Sequence, residues 1–208
     1  MHTDRSVRAF CEELAAGTPV PGGGGTAALV GALGAALAAM VLNYTVGRKG
    51  YDRVDAEMRA LLARADTIRG ELLDLVEEDA AAYAAVVDAR RLPKERPEQV
   101  AHRDRELQRA LAGAVRVPLR AAVLAADILA LCEPIAERGN RHLISDAGVA
   151  ALLADAALHG AALNVRVNLG DLRDGALLTE SRAALAKLIG SAREIRPRVL
   201  ALVDKGIG

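Results

Sequence analysis

Residues 14–47 read LAAGTPVPGGGGTAALVGALGAALAAMVLNYTVG, 34 consecutive positions without a charge. Two prolines and four successive glycines mark residues 17–25 as a loop, after which Thr26 is placed to cap a helix. From Thr26 to Val46 the chain is mostly Ala, Gly, Leu and Val with no alternation of apolar and polar positions, so no strand is indicated. Such a segment is long enough to cross a bilayer. Ala and Gly are only weakly lipophilic, however, and no basic or aromatic anchors flank it symmetrically. A helix apolar on every side is also what the centre of a bundle requires. The expectation is a buried central helix, with Gly31, Ala35 and Ala39 letting neighbours approach closely.

The rest of the composition agrees. Hydrophobic residues make up 52% of the 208, yet the aromatics are only Phe10, Tyr44, Tyr51 and Tyr83. The apolar mass is thus Ala, Leu and Val, which favours helices over sheets. The fold class expected is all-α, a single helical bundle of about six helices, with residues 1–208 as one domain. Lys and Arg balance Asp and Glu at 27 each, so there is no broad basic field for nucleic acid or an anionic membrane. Cys11 and Cys132 are isolated, and residues 1–5 lack a secretory pattern, so a reducing cytoplasm is expected.

Punctuation sets the remaining helices. The first is expected over Asp4–Ala16 and the second from Thr26 to near Gly47. A third runs from Asp52 to Arg90, and a fourth from Glu98 to Arg138, bending at Pro118 and Pro134. A fifth is capped by Ser145 and reaches Asn168, and a last one covers Leu177–Asp204.

Several polar residues interrupt apolar faces. In the third helix Val54, Met58, Leu61, Ala65, Ile68, Leu72 and Leu75 form a core stripe, and the same register continues to Asp79, Ala82 and Val86. Asp79 therefore carries a carboxylate where leucine is expected, which calls for a structural partner or a chemical function. In the fifth helix a second stripe, Asp146, Val149, Leu153, Ala156, Gly160, Leu163 and Val167, opens with a carboxylate that the helix dipole also favours. Asn164 and Asn168 lie one turn apart beside it, able to hold a polar ligand or a neighbouring backbone. Lys49 beside Tyr51 can bind an anion or polarise a carbonyl-like group, or form a plain solvated turn. Pro21, Gly22, Gly23 and Gly24 lead into a helix whose free N–H groups can meet an anion or a flat ring. The glycines fit neither a P-loop nor a dinucleotide fingerprint. The four histidines lack ligand spacing, so no metal is expected, and no serine or cysteine nucleophile motif is present.

Taken in order, these pieces resemble one family. The run Thr18-Pro19-Val20-Pro21-Gly22-Gly23-Gly24 precedes an Ala-rich helix, followed by Asn43-Tyr44-Thr45-Val46-Gly47-Arg48-Lys49 with Tyr51. Then come Glu78-Asp79-Ala80 with Tyr83, Leu92-Pro93-Lys94, Leu107-Gln108 and Val117-Pro118-Leu119. Gly139-Asn140, Ser145-Asp146-Ala147-Gly148-Val149-Ala150 and Ala161-Ala162-Leu163-Asn164-Val165-Arg166-Val167-Asn168 complete the set. Over about residues 5–175 the chain resembles the cyclodeaminase/cyclohydrolase family of folate enzymes. It departs in reading Arg48-Lys49-Gly50 where many relatives carry three lysines. The resemblance implies a homodimer that holds a folate between helices and needs no cofactor. It picks out Lys49, Asp79, Gln108 and Asp146 as catalytic residues, and the chemistry of the reaction leads to an expectation of Asp79 as base for water, Lys49 as acid or electrostatic partner, Gln108 as orienting group and Asp146 as a pterin or helix-end anchor. As substrate-binding residues it implies Pro21, Gly22, Gly23, Gly24, Asn43, Tyr51, Asn164 and Asn168. A chain without a formiminotransferase segment is expected to hydrolyse 5,10-methenyltetrahydrofolate to 10-formyltetrahydrofolate. The alternatives are formiminotetrahydrofolate cyclodeaminase, which releases ammonia, and a non-catalytic helical dimer. A membrane helix hairpin is the last rival.

Overall fold

A computed structural model describes all 208 residues. Six α-helices follow in chain order: α1 Val7–Ala15, α2 Gly23–Asn43, α3 Asp55–Arg91, α4 Pro97–Arg138, α5 Ile144–Asn168 and α6 Gly175–Ile207. There are no strands, and 83% of the residues are helical, which establishes the all-α bundle. Short 3₁₀ turns, His2–Asp4 and Arg141–Leu143, precede α1 and α5.

α2 occupies the middle, packed against α3, α4 and α5. By length and composition both α2 and the 141–168 helical segment would span a membrane, but over half of each apolar window is buried inside the bundle. Glycine is what allows the close α2–α5 contact. A Cβ on Gly34 would lie 3.2 Å from the Ala150 carbonyl oxygen and 3.3 Å from the Ala154 nitrogen, so the two backbones almost touch there. A Cβ on Gly31 would sit 3.1 Å from a Leu72 methyl of α3. The predicted α3 stripe is the core face: Met58, Ala65, Ile68, Leu72 and Leu75 are fully buried, with Val54 and Leu61 half-buried at its start.

Other expectations need correction. The glycine run is not all loop. Gly22 is the N-cap, Gly23, Gly24 and Gly25 form the first turn of α2, and Thr26 sits inside the helix with its hydroxyl donating to the Gly22 carbonyl at 2.8 Å. α2 ends at Asn43 rather than Gly47, whose φ of +68° belongs to the following turn. α5 starts at Ile144, so Ser145 is not its cap, and Asn140 instead caps the 3₁₀ turn before it. α6 begins at Gly175 with Asp174 as cap, its carboxylate accepting from the Ala176 and Leu177 amides.

The largest correction concerns α5. Much of the stripe read as its core face points outward: Val149, Leu163 and Val167 are 46%, 60% and 77% exposed, while Leu153 and Gly160 are half-buried against α2. The buried side is Ala147, Ala150, Ala151, Ala154, Leu158, Ala161 and Val165. Because α5 is apolar almost all round, periodicity could not tell its two sides apart, and the tight helix spacing selects the alanine side for the interior. α2 matches it with Val30, Leu33, Leu37, Met40 and Tyr44 on its outer side, Leu33 being 53% exposed. The two helices thus share one uncovered apolar face.

Candidate active site

The third helix carries its register past the core and into a cavity. Beyond Leu75 the next positions on the same side are Asp79, Ala82–Tyr83, Val86 and Arg90, and all of them line a cavity of about 390 Å³. The opposite wall comes from Pro19, Val20 and Gly22–Gly24 at the start of α2, and from Asn164, Val167 and Asn168 at the end of α5. Leu111 and Ala114 of α4 and Asp171 close it.

Asp79 meets the first turn of α2 directly. Its Oδ2 accepts from the Gly25 amide at 2.8 Å, taking up one of the donors a helix start leaves free. Its carboxylate lies so close to Gly24 that a Cβ there would fall 2.1 Å from Oδ1, far inside van der Waals contact. That position must therefore be glycine for the carboxylate to sit as it does. Burial raises the Asp79 carboxyl above its ordinary value, and the Gly25 hydrogen bond offsets part of that rise. No arginine, lysine or histidine pairs with it. An ion-pair role is thereby removed; what remains is a half-buried carboxylate with one backbone donor and an open side facing a cavity.

The two asparagines are held from behind. Asn164 Nδ2 donates to the Gly160 carbonyl at 2.9 Å, and Asn168 Nδ2 donates to the Ala114 carbonyl. Each amide is thus fixed through its nitrogen, leaving the acceptor oxygen for a ligand donor. Gly23 has room: a Cβ would be 3.5 Å from Asn164, ordinary contact. Pro21 is buried beneath the loop, and its neighbours Pro19 and Val20 face the cavity in its place.

Four residues of the expected set lie elsewhere in this chain. Lys49 and Tyr51 belong to the α2–α3 connection, Asn43 ends α2, and Asp146 sits in the first turn of α5. The Tyr51 hydroxyl accepts from the Arg141 amide at 3.3 Å, which ties this corner together. Asp79 is 24 residues into α3, so a rise of 1.5 Å per residue puts this cluster roughly 36 Å from it. The two groups occupy opposite ends of the bundle. Gln108 is also outside the cavity. Its side chain donates to the Asp171 carbonyl at 3.1 Å and accepts from the Arg173 amide at 2.8 Å, clamping the α5–α6 loop that forms part of the mouth.

Tyr83, Arg90 and Asp171 are lining residues outside the expected site set, Tyr83 having entered only within one of the family-like motifs. The signal for the first two was present, since Asp79, Tyr83, Val86 and Arg90 continue one helical face. Asp171 is recognisable only from the fold. Cys132 is fully buried, and its thiol is pushed up to about 12, which makes it an inert core residue.

Comparison with known proteins places the chain. The family model for formiminotransferase-cyclodeaminase matches residues 6–187. Over the full length of both chains it is 40% identical to methenyltetrahydrofolate cyclohydrolase of Methylorubrum extorquens. It is 38% identical to rat formimidoyltransferase-cyclodeaminase across 97% of this chain, which corresponds to 37% of that longer protein. The crystal structure of formiminotetrahydrofolate cyclodeaminase from Thermotoga maritima superposes with a TM-score of 0.90 at 30% identity, each chain fully covered. The chain belongs to the formiminotransferase-cyclodeaminase family.

Proposed function

We propose that this protein hydrolyses 5,10-methenyltetrahydrofolate to 10-formyltetrahydrofolate, with Asp79 as the base that activates water. The observation that carries this reading is the unpaired, half-buried Asp79 carboxylate set against the first turn of α2. The substrate's reacting carbon is the centre of a cationic N5–C–N10 amidinium. A carboxylate beside it attracts the cation and accepts the proton that water loses as oxygen bonds to carbon. The tetrahedral adduct then breaks its carbon–N5 bond as its hydroxyl gives up the second proton and becomes the formyl carbonyl, N5 takes a proton, and the formyl group stays on N10. An environment that raises the carboxyl suits a base, because proton affinity closer to neutrality favours the transfer. The Asn164 and Asn168 oxygens are available to the amino and ring N–H groups of the pterin, and Tyr83 offers a flat apolar face. The full-length match to the bacterial cyclohydrolase favours hydrolysis over the cyclodeaminase alternative.

The active form proposed is a cytoplasmic homodimer that requires no added cofactor. What supports the dimer is the uncovered α2/α5 face, an apolar surface that water disfavours. Closed symmetry across that face, with its axis near Leu33, would run α2 antiparallel to its copy. Tyr44, eleven residues after Leu33, would then approach Gly22, eleven residues before it, in the other subunit. That arrangement carries the Lys49, Tyr51 and Asp146 cluster of one subunit to the Asp79 cavity of the other, where Lys49 is the proton donor to the leaving nitrogen.

The test is a paired assay on purified protein. Loss of the methenyl chromophore without added metal or nucleotide is the expected outcome, and ammonia release from the formimino substrate marks the alternative. Asp79→Asn keeps the size and the Gly25 hydrogen bond but cannot accept a proton. Turnover should fall about 10²–10⁴-fold with helical content intact. A fully active Asp79→Asn enzyme would remove Asp79 from the mechanism.

A further inference from the structure

Part of the cavity wall facing α3 belongs to a strap that the core does not hold. Pro19 and Val20 line the cavity, and they hang between two buried anchors, Phe10 and Pro21. Between those anchors every residue except Glu13 and Val20 is exposed, and α1 packs broadly against none of the other helices. Polar contacts seat this stretch instead. The 3₁₀ turn His2–Asp4 packs on α3, where the Thr3 amide and hydroxyl both donate to Glu77 Oε1, at 3.0 and 3.3 Å. Glu13 is held on both oxygens, by His2 Nδ1 at 3.1 Å and by Arg5 at 2.9 Å. The Thr18 hydroxyl then bridges the Glu13 carbonyl at 3.3 Å to the Val20 carbonyl at 3.2 Å. An unbroken line of contacts therefore runs from Glu77 through Thr3, His2, Glu13 and Thr18 to the cavity wall. Glu77 itself is not in the cavity. It precedes Asp79 by two residues, which turns it about 200° round α3.

We propose that Glu77 is a positioning residue for the reaction, the latch of a flap made by residues 2–20 whose closure sets Pro19 and Val20 against bound substrate; this rests on the folate reading of the Asp79 cavity. A segment with few buried apolar contacts opens at far smaller cost than the core around it. This one is seated by a single buried ring, Phe10, and by ion pairs and hydrogen bonds that water partly reaches. The Thr3–Glu77 contact is the one that ties its start to α3, the helix that also carries Asp79. Hydrolysis consumes water, so closure serves to hold the substrate rather than to dry the site. Its loss therefore weakens binding without touching the chemical step, and shows in KM rather than in kcat.

The experiment compares the native enzyme with Glu77→Ala and Glu77→Gln, by kinetics on 5,10-methenyltetrahydrofolate and by amide hydrogen exchange on the free proteins. In Glu77→Ala both Thr3 donors lose their acceptor. KM should rise roughly three- to tenfold as the closed fraction falls, with kcat within about twofold of native. A helix of nine residues does not persist undocked, so exchange across α1 reports whether the strap is seated. That exchange should quicken roughly tenfold or more, the weight of hydrogen bonds to a charged group, while α3 and α5 exchange as in the native protein. Glu77→Gln keeps an acceptor oxygen and should bring both readings back near native. Faster α1 exchange at an unchanged KM would overturn the inference and make the strap a plain anchor. Unchanged exchange would overturn it too, because Glu77 would not be the latch. So would a fall in kcat at constant KM. A native enzyme that does not turn over the substrate would instead bring down the functional reading, and this inference with it.

Discussion

The two ends of α2 are built from similar materials and do different things. At its N-terminal end three glycines form a helical turn, and a carboxylate from α3 presses against it without a counter-ion. At its C-terminal end the chain leaves the helix through Tyr44, buried Thr45 and Gly47, and the polar groups satisfy one another. The Thr45 hydroxyl donates to the Val41 carbonyl at 2.8 Å and accepts from the Asn140 amide at 3.0 Å, while Asn140 Nδ2 donates to the Tyr44 carbonyl. One end is a satisfied corner; the other holds an acceptor waiting for something to protonate it. A buried polar group with all its bonds made is structural, and one left open against a cavity is a candidate for chemistry. Yet Lys49 projects from the satisfied end, exposed and without an ion pair.

The proposed dimer reconciles that contrast, and the sharpest way to break it is subunit mixing. Lys49→Ala and Asp79→Asn should each lose about 10²-fold or more in turnover when assayed alone. If a site draws Lys49 from one subunit and Asp79 from the other, a mixed dimer has one intact site and one doubly altered. Random exchange of equal amounts should then restore roughly a quarter of native activity. A mixture that stays inactive after proven exchange would confine each site to one chain and leave Lys49 without a role there. Leu33→Asp, which puts a charge at the centre of the uncovered face, should yield monomers by sedimentation and the same inactivity.

A smaller effect tests why the open end is glycine. Gly24→Ala demands that the Asp79 carboxylate move, since the new Cβ would overlap Oδ1. The carboxylate has the cavity to move into, so the melting temperature should change little while kcat falls roughly 10–100-fold. Gly23→Ala, one residue away, meets Asn164 at ordinary contact distance and should remain close to native. Equal kinetics for the two variants would mean that the Asp79 position against Gly24 is not the productive one.

These positions also show what the sequence could and could not disclose. The α3 stripe was legible because that helix is truly amphipathic: its solvent side is charged, so Met58, Ile68, Leu72 and Leu75 stand out, and Asp79 stands out against them. α5 was misread because Val149 and Ala150 are both apolar, and only the spacing of neighbouring backbones decides which is buried. The glycine run has the local composition of a loop, yet its use is not flexibility. Gly24 is needed for a contact with a side chain 55 positions later, which no local pattern encodes. Gln108 could be named but not placed, because its partners, Asp171 and Arg173, reach it only through the packing of α4 against α5 and α6.

The smallest expected effect is on stability, and it follows from Asp79 being held above its ordinary value by burial. A carboxyl raised on folding favours the protonated folded state. Its contribution to stability is fully present below the unfolded value, near the ordinary 3.8, and is lost as pH rises through the higher folded value. At neutral pH the ionised group is thus a modest liability, softened by its partial exposure and by the Gly25 amide. Asp79→Asn removes the charge and keeps an oxygen for that amide. The variant should therefore melt slightly higher than the native protein at pH 7, by a few degrees at most. The gap should close as pH is lowered through the Asp79 transition, where the native carboxyl becomes neutral too. The opposite pattern, a variant less stable at pH 7 that recovers in acid, is what a carboxylate with a hidden cationic partner would give. Removing one member of such a pair costs about 3–5 kcal/mol, far more than the small gain expected here. Thermal melts of the two proteins between pH 4 and pH 8 therefore separate the two cases by sign. A cationic partner at Asp79 would make that end of α2 as satisfied as the Thr45 end, and the contrast between them would be gone.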